Sequence, residues 1–170
     1  MMKHVIKLIF IIPILMGIIS CTGNLNTIEI ETPELQLSAE GPLFEGANSA
    51  TSTWEFNLGE ILGNDEAKVA QAKVTSVKVI LKGADELPAL EKMVFEITSK
   101  NTSMTRIGLY EEGIREGQAF FLNIADKQEN LASAFADGKM TFVGDFDLVD
   151  EEYWGNVEFT LQVKFELGIK

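Results

Sequence analysis

The sequence predicts an all-β fold: an antiparallel β-sandwich of the immunoglobulin-like or Greek-key type, with seven to eight strands and one short helix, behind a cleaved signal peptide. Three observations support this prediction. Apolar and polar residues alternate with a period of two over most of the chain, turn-rich stretches separate the alternating segments, and one apolar run precedes them. Strands with one dry and one wet face, joined by short connections, indicate antiparallel sheets packed on each other.

The carboxyl-terminal segment VEFTLQVKFELGIK shows the clearest alternation, with apolar residues at every odd position from Val157 to Ile169. Because successive side chains of a strand point to opposite faces, this segment predicts one long, half-buried strand. In the segment VTSVKVILK, Thr75 is expected to share the buried face of Val77. Further strands are predicted around Leu35–Leu37, Trp54–Leu58, Val77–Leu81, Met93–Ile97, Ile107–Leu109, Phe120–Ile124 and Phe142–Leu148.

One helix is expected between these strands. In ADKQENLASAFADG, Asp126 and Glu129 have the spacing of a capping box and Gly138 is a natural stop, which predicts a helix over 127–136. The stretch GNDEAKVAQA is a weaker candidate for a helical turn, with Asn64 as its cap. The helical content is therefore expected to be small.

The first 20 residues have the pattern of a secretory leader. Lys3 and Lys7 supply positive charge, and Leu8–Ile19 is an apolar run broken only by a proline. A membrane-spanning helix needs about 20 apolar residues, so this run has the length of a signal-peptide core instead. Ordinary cleavage after Ser20 would place the bulky Ile18 where a small residue is required. The leader therefore indicates another kind of processing.

The four residues Ile18-Ile19-Ser20-Cys21 resemble the lipobox of bacterial lipoproteins. The resemblance implies that Cys21 is joined to diacylglycerol, that the leader is removed and that the new amino terminus is acylated. Two or more acyl chains attach a protein stably to a membrane, since each buried methylene contributes about 0.8 kcal/mol. The expected organisation is a signal peptide over 1–20, a tether over 21–34 with a possible first strand at Thr27–Glu31, and one β-sandwich domain over 35–170.

The composition excludes several classes of function. Only two of the 14 basic residues and none of the 26 acidic ones lie in the leader, so the chain from Cys21 onward has a formal charge of −14. Such a charge argues against nucleic acid as a partner. The single histidine, His4, belongs to the leader and the single cysteine is the lipid site. Catalysis by His or Cys, metal sites built on His or Cys, and disulfides are therefore excluded for the rest of the chain. We predict that the protein is not an enzyme.

The acidic stretch GDFDLVDEEYWG is the first candidate site. Asp145 and Asp147 project from one side of a predicted strand, and Asp150 and Glu151 follow in a turn. Clusters of carboxylate oxygens suit calcium, although the spacing is not that of an EF-hand loop. A solvated acidic face that opposes aggregation is the favoured interpretation. Accordingly, no cofactor is predicted, and calcium is the weak alternative.

Tyr153 and Trp154 follow this acidic stretch and form the second candidate site. Exposed aromatic rings beside carboxylates such as Asp150 are suited to stacking against sugars. The favoured alternative is that Trp154 caps the end of the sandwich and Tyr153 lies along a strand edge, because aromatic side chains mostly supply buried area. Trp54 is expected in the core. Phe121, Val143 and Val94 fall on the nominally wet faces of their strands. If they cluster, they form an apolar patch of the kind that marks a partner surface; the favoured interpretation is that the predicted helix or a loop covers them.

The leader, short tether and acidic β-rich domain together resemble the small, largely uncharacterised lipoproteins of Bacteroidetes-type bacteria. The segments SKNTSMTRIGL, LNIADKQENLASAF and GNVEFTLQVKFEL are similar to their pattern of paired strands, a short helix and a long final strand. The resemblance implies a β-sandwich anchored at the outer membrane, on its periplasmic or cell-surface face, and it transfers no catalytic residue.

The predicted function is a lipid-anchored, non-enzymatic binding module of the cell envelope, with an envelope protein or a glycan as its partner. A glycan-binding accessory lipoprotein that uses Tyr153 and Trp154 is one alternative. A barrel-like carrier of a small apolar ligand is the other, and it would require a large apolar cavity. The bulky Phe-rich faces of the strands favour a filled interior instead.

Overall fold

The alternating segments form nine strands in the computed structural model, which describes residues 25–64, 66–82, 88–114 and 119–170. Cys21 and the leader lie outside the described residues. Among the described residues, neither of the two helices has the length and apolar composition needed to cross a membrane. In chain order the elements are β1 (Asn26–Glu31), β2 (Leu35–Ala39), β3 (Leu43–Glu55), α1 (Leu58–Leu62), β4 (Val69–Lys82), β5 (Leu90–Ser99), β6 (Thr102–Tyr110), β7 (Ala119–Phe121), α2 (Ala132–Ala136), β8 (Lys139–Tyr153) and β9 (Val157–Ile169).

The strands form two antiparallel sheets whose order is that of a jelly roll. In the first sheet β9 lies between β4 and the pair β1 and β2, and β7 follows β4; the second sheet has the order β3-β8-β5-β6. Four antiparallel pairs are nested along the chain: β5–β6, β4–β7, β3–β8 and β2–β9. Together they correspond to one long hairpin that is folded over into two sheets. The predicted antiparallel sandwich is confirmed. Its Greek-key connectivity is not the immunoglobulin one, and two separate sheets replace the barrel alternative.

The space between the sheets is filled by apolar side chains. Six phenylalanines are less than 2 % exposed, and Phe146 and Phe159 meet across the two sheets at 5.2 Å between ring centroids. In β9 the odd positions from Val157 to Leu167 are fully buried, as the alternation predicts, and Trp54 is in the core as expected. The space between the sheets is therefore occupied by side chains, as the Phe-rich faces of the strands predict.

β1 begins inside the segment expected to be a tether. Asn26–Glu31 pair with the end of β9, at the position where the sequence allowed a first strand. Thr32 then fixes the chain, since its backbone N–H donates to Val163 O (2.9 Å) and its hydroxyl accepts from Val163 N (3.1 Å). Only residues 22–25 therefore lie between the lipobox cysteine and β1.

β4 departs from the predicted phase in its first half. Val77, Val79 and Leu81 are buried as expected, but Thr75 is exposed and Val74 is buried in its place. The register of β4 against β9 shifts between Val74 and Ser76, which is a β-bulge. A bulge inserts one extra residue and so reverses the alternation on one side of it.

The helix expected over 127–136 is shorter than predicted, because α2 covers only Ala132–Ala136. The capping box does not form. The side chains of Gln128 and Asn130 instead form hydrogen bonds with the backbone of β4. The amide of Gln128 accepts from Val74 N and donates to Val74 O, both at 2.8 Å. The edge of β4 needs these partners because β7 has only three residues and leaves most of that edge unpaired.

The weaker helical candidate is also displaced. α1 lies upstream of it, capped by Asn57, whose side chain accepts hydrogen bonds from the N–H groups of Gly59 (3.0 Å) and Glu60 (3.5 Å). Asn64 caps only a turn, accepting from Glu66 N at 3.0 Å. The spacing from Asn57 to Glu60 is that of a capping box, a local signal for α1 that the prediction missed.

Candidate functional site

The sandwich has two ends, which we call proximal and distal. The proximal end holds the start of β1 and the end of β9, where Asn26 pairs with Ile169. The distal end holds the turn between β8 and β9. Because β9 has 13 residues, the two ends are about 40 Å apart. Leu25 packs on Gly168 at the proximal end, and Cys21 precedes it by four residues.

Trp154 dominates the distal end. It lies in the turn between β8 and β9, and at 74 % exposure it is the most exposed large apolar side chain among the described residues. The favoured interpretation, that Trp154 caps the end of the sandwich, is therefore wrong. Tyr153 is half-buried against the core, and its ring lies over Gly155. The two rings do not make one exposed platform, so Trp154 is the side chain that is open to a ligand.

The backbone under Trp154 is held by the loop between β2 and β3. Gly41 N donates to the side-chain oxygen of Asn156 at 3.1 Å. A Cβ at Gly41 would lie 2.6 Å from Gly155 O and 2.8 Å from Trp154 O, so only glycine allows this approach. An exposed indole is thus presented from a turn whose backbone is packed and hydrogen bonded.

Asp150 has a structural task at the same end. One of its carboxylate oxygens accepts a hydrogen bond from Ala89 N at 3.0 Å, and Val149 N donates to Ala89 O at 3.0 Å. These bonds join the end of β8 to the segment that enters β5. Asp150 is exposed, so its other oxygen is available to solvent or to a ligand.

The four acidic residues proposed for calcium do not assemble. Asp145 and Asp147 lie on the outer face of β8, opposite Ser49 and Ala47 of β3, while Asp150 is engaged with Ala89. Within the described ranges, no group of three or more acidic, His or Cys side chains is arranged to hold a metal ion. Calcium requires six or more oxygens around one point. The calcium site on Asp145, Asp147, Asp150 and Glu151 is therefore not formed.

A cleft of about 600 Å³ also opens at the distal end, between the edges of the two sheets. The rings of Tyr110 and Phe120 form part of its wall, 4.6 Å apart between centroids, with Leu90 and Glu112 beside them. No periodic pattern in the sequence marks this cleft. Tyr110 and Phe120 meet because β6 and the segment after β7 are bridged further along, where the backbones of Leu109 and Asn123 exchange two hydrogen bonds.

The wet-face apolar residues do not form one patch. Phe121 is 60 % exposed on β7 of the first sheet, whereas Val94 and Val143 lie half-buried on the outer face of the second sheet. α2 covers none of them, because Phe135 of α2 points between the sheets, where its ring meets that of Phe165 at 5.1 Å. The helix closes the proximal end of the core instead.

No family model matches the chain, and no curated protein is similar to it in sequence. One similar solved structure is that of infectious bursal disease virus, Gx strain, with a TM-score of 0.44 and 5 % sequence identity over 84 % of this chain. The match spans 31 % of the viral chain, about a third of its length.

Proposed function

We propose that this chain is a lipid-anchored, non-enzymatic binding module of the bacterial cell envelope, and that it binds its partner with the distal end. The observation that carries the proposal is Trp154, a 74 % exposed indole on a turn fixed by Gly41 and Asn156. Exposing a large apolar ring to water is unfavourable in free energy, and aromatic side chains contribute much of the binding energy at protein binding surfaces. Folding alone therefore does not explain its place.

The position of the lipobox supports the same orientation. Cys21 lies five residues before Asn26, a span of at most about 18 Å, so a lipid on Cys21 would hold the proximal end close to the membrane. The distal end would then stand about 40 Å further out. Trp154 and the cleft beside Tyr110 both lie at that outer end, where an envelope partner would be met first.

A carbohydrate is the partner class that the surroundings of Trp154 favour. Sugar rings offer apolar C–H faces that stack on an indole, and hydroxyl groups that need acceptors. Asp150 and Glu152 supply exposed carboxylates at the end of β8. The exposed Asn156, whose side-chain oxygen accepts from Gly41 N, follows Trp154 by two residues. We therefore propose glycan binding as the specific form of this function.

The test is binding to an array of bacterial envelope glycans, with Trp154→Ala compared against Phe121→Ala. Both variants remove an exposed aromatic ring, but Phe121 lies on the lateral edge of the sandwich. We expect Trp154→Ala to weaken binding by about 30-fold, the size of a typical aromatic hot spot, and Phe121→Ala to change it by less than twofold. Silence of the wild-type chain on the array would remove the glycan class, and equal losses in both variants would remove the distal site.

A further inference from the structure

Three of the four sheet edges are protected against pairing with another chain. β1 and β2 are short and are separated by a break that contains Pro33. β7 has three residues, and the side chains of Gln128 and Asn130 cover the adjoining part of β4. β6 carries the exposed Arg106 and is bridged near its end, at Leu109, to Asn123 of the segment after β7. Short, interrupted or covered edges are the usual means by which β-proteins avoid unwanted strand addition.

β3 is the exception. It is a 13-residue edge strand with no proline, lysine or arginine, the residues that commonly block an edge. Phe56 N donates to Gly138 O just beyond the strand, so the even-numbered residues of β3 direct their backbone groups to β8. The odd-numbered residues direct theirs to the open side. Beyond the register shift at Glu45, their exposed members are Ala47, Ser49, Thr51, Thr53 and Glu55. Glu55 ends the strand in an ion pair with Lys139 of β8 at 2.7 Å.

In the part of the chain that the structure describes, no group outside β3 hydrogen bonds to this open side between Ala47 and Thr53. The amide of Asn48 covers only the irregular start of the strand, donating to the carbonyls of Phe44 and Gly46. A regular row of backbone donors and acceptors thus faces solvent, which is the surface on which peptides add as an extra strand.

We propose that the open edge of β3 binds an extended segment of a partner protein as an added antiparallel or parallel strand, and that this segment carries lysine or arginine on its outer face. This site lies on the lateral side of the sandwich and is independent of the distal end. Main-chain hydrogen bonds supply the affinity of such a complex, and the outer-face side chains supply its selectivity.

The charge beside β3 identifies the chemistry of the occupant. Asp145 on β8 is flanked by Ser49 of β3 on one side and by Val94 of β5 on the other. Asp147 is flanked by Ala47 in the same way, with Lys92 of β5 across from it. Neither aspartate forms an ion pair among the described residues.

An added strand would lie roughly 10 Å from β8, two strand spacings away. Because Ala47 and Ser49 are small, the long side chain of a lysine or arginine on that strand reaches over them to Asp145. A second copy of this chain is a poor occupant by the same reasoning. Pairing β3 with its own copy would bring two acidic faces together, each chain carrying a formal charge of −14 from Cys21 onward.

The probe is an acetylated, amidated peptide of sequence TKVKTKVKT, which places all its lysines on one face when extended. Its counterpart TEVETEVET is the charge control. We expect the lysine peptide to slow backbone hydrogen exchange at Ala47, Ser49, Thr51 and Thr53 by at least tenfold in the full chain, and the glutamate peptide to leave these rates unchanged.

Two variants separate the backbone from the charge. Ser49→Pro removes an N–H that points to the open side and donates no hydrogen bond to β8. β3 should therefore keep its pairing with β8 while peptide affinity falls at least tenfold. Ser49→Thr keeps the N–H and should bind like the wild type. The double variant Asp145→Asn, Asp147→Asn keeps the edge intact and should remove the preference for the lysine peptide. Trp154→Ala should leave peptide binding unchanged, whatever its effect on glycans.

Three results would overturn the proposal. The first is unchanged exchange at the four open-side amides, and the second is equal peptide affinity of the wild type, Ser49→Pro and the double aspartate variant. The third is protection of the same amides that rises with protein concentration without peptide, together with sedimentation as a dimer, which would make a second copy the occupant of β3.

Discussion

Asp137, which directly follows α2, shows how one side chain joins separate strands. Its carboxylate accepts hydrogen bonds from the Ser99 hydroxyl at 2.6 Å and from Asn101 N at 2.8 Å, at the turn between β5 and β6. These bonds, that of Ser99 first, hold the pKa of Asp137 below its ordinary value of 3.8. A carboxylate with a lowered pKa binds protons less readily in the folded state than in the unfolded state.

This pKa shift predicts a pH-dependent contribution to stability. Because the pKa is lowered by folding, the contribution is complete above pH 3.8 and is lost as the pH falls below that value. Asp137→Asn should therefore lower the free energy of unfolding at pH 7 and flatten its decline as the pH falls below 3.8, as measured by urea denaturation. Asp126→Asn, which removes an exposed carboxylate elsewhere, is the control. Parallel pH profiles of the wild type and Asp137→Asn would contradict this role.

The candidate site could be predicted from the sequence only in part. The sequence pointed to Trp154 and Asp150, but alternation assigns faces only to residues inside strands. It does not say where a turn residue points. Trp154 is exposed because Gly41 packs against the backbone of the turn rather than against the ring, a contact between residues more than 100 positions apart. The bond from Ala89 to Asp150 is hidden from local patterns for the same reason.

At the scale of elements, local signals located the strands better than the helices. Period-two alternation is enforced by burial along the whole length of β9, whereas the Asp126–Glu129 capping box is a weak local preference. It is overridden by the side-chain amides of Gln128 and Asn130, which satisfy backbone groups of β4 that would otherwise lack partners. The bulge at Val74 escaped prediction because the phase of Val77, Val79 and Leu81 was extended back to Thr75. The odd spacing between the apolar residues Val74 and Val77 is the mark that the bulge leaves in the sequence.

The edge cover on β4 gives a stability prediction. Gln128→Ala leaves the N–H and C=O of Val74 without their partners, and should lower the free energy of unfolding by about 1–3 kcal/mol in urea denaturation. Gln128→Glu keeps an acceptor for Val74 N but loses the donor to Val74 O, so its loss should be smaller. Light scattering should show more aggregation of the alanine variant. Wild-type stability in Gln128→Ala would show that solvent replaces the amide without cost.

At the scale of the whole molecule, the sequence predicted the class of fold but not its topology. Alternating faces require two sheets around one core, and that inference needs no knowledge of which strands are neighbours. The pairing of β2 with β9 joins Leu35 to Leu161, far apart along the chain, through a register that no local segment encodes. The jelly-roll order therefore became visible only in the folded chain.

The anchor is tested at the same scale. Cys21→Ser removes the thiol to which the lipid would be joined, so the variant should keep its leader. The processed form of the protein should then be absent from the detergent-extracted membrane fraction. Mass spectrometry of the wild type should find diacylglycerol on Cys21 and an acylated amino terminus. A processed, membrane-bound serine variant would contradict the lipoprotein proposal, while Ser20→Ala, which keeps a small residue before the cysteine, should be processed normally.

The nested pairing of strands also bears on the order of events during synthesis and export. β1 and β2 both pair with β9, which leaves the ribosome after the other eight described strands, so the amino-terminal strands have no partner until β9 has been made. Contacts of such long range make folding slow. In the proposed export route the region around Cys21 would consequently reach the processing enzymes as an unfolded, accessible segment, and attachment to the membrane would come before the sandwich closes.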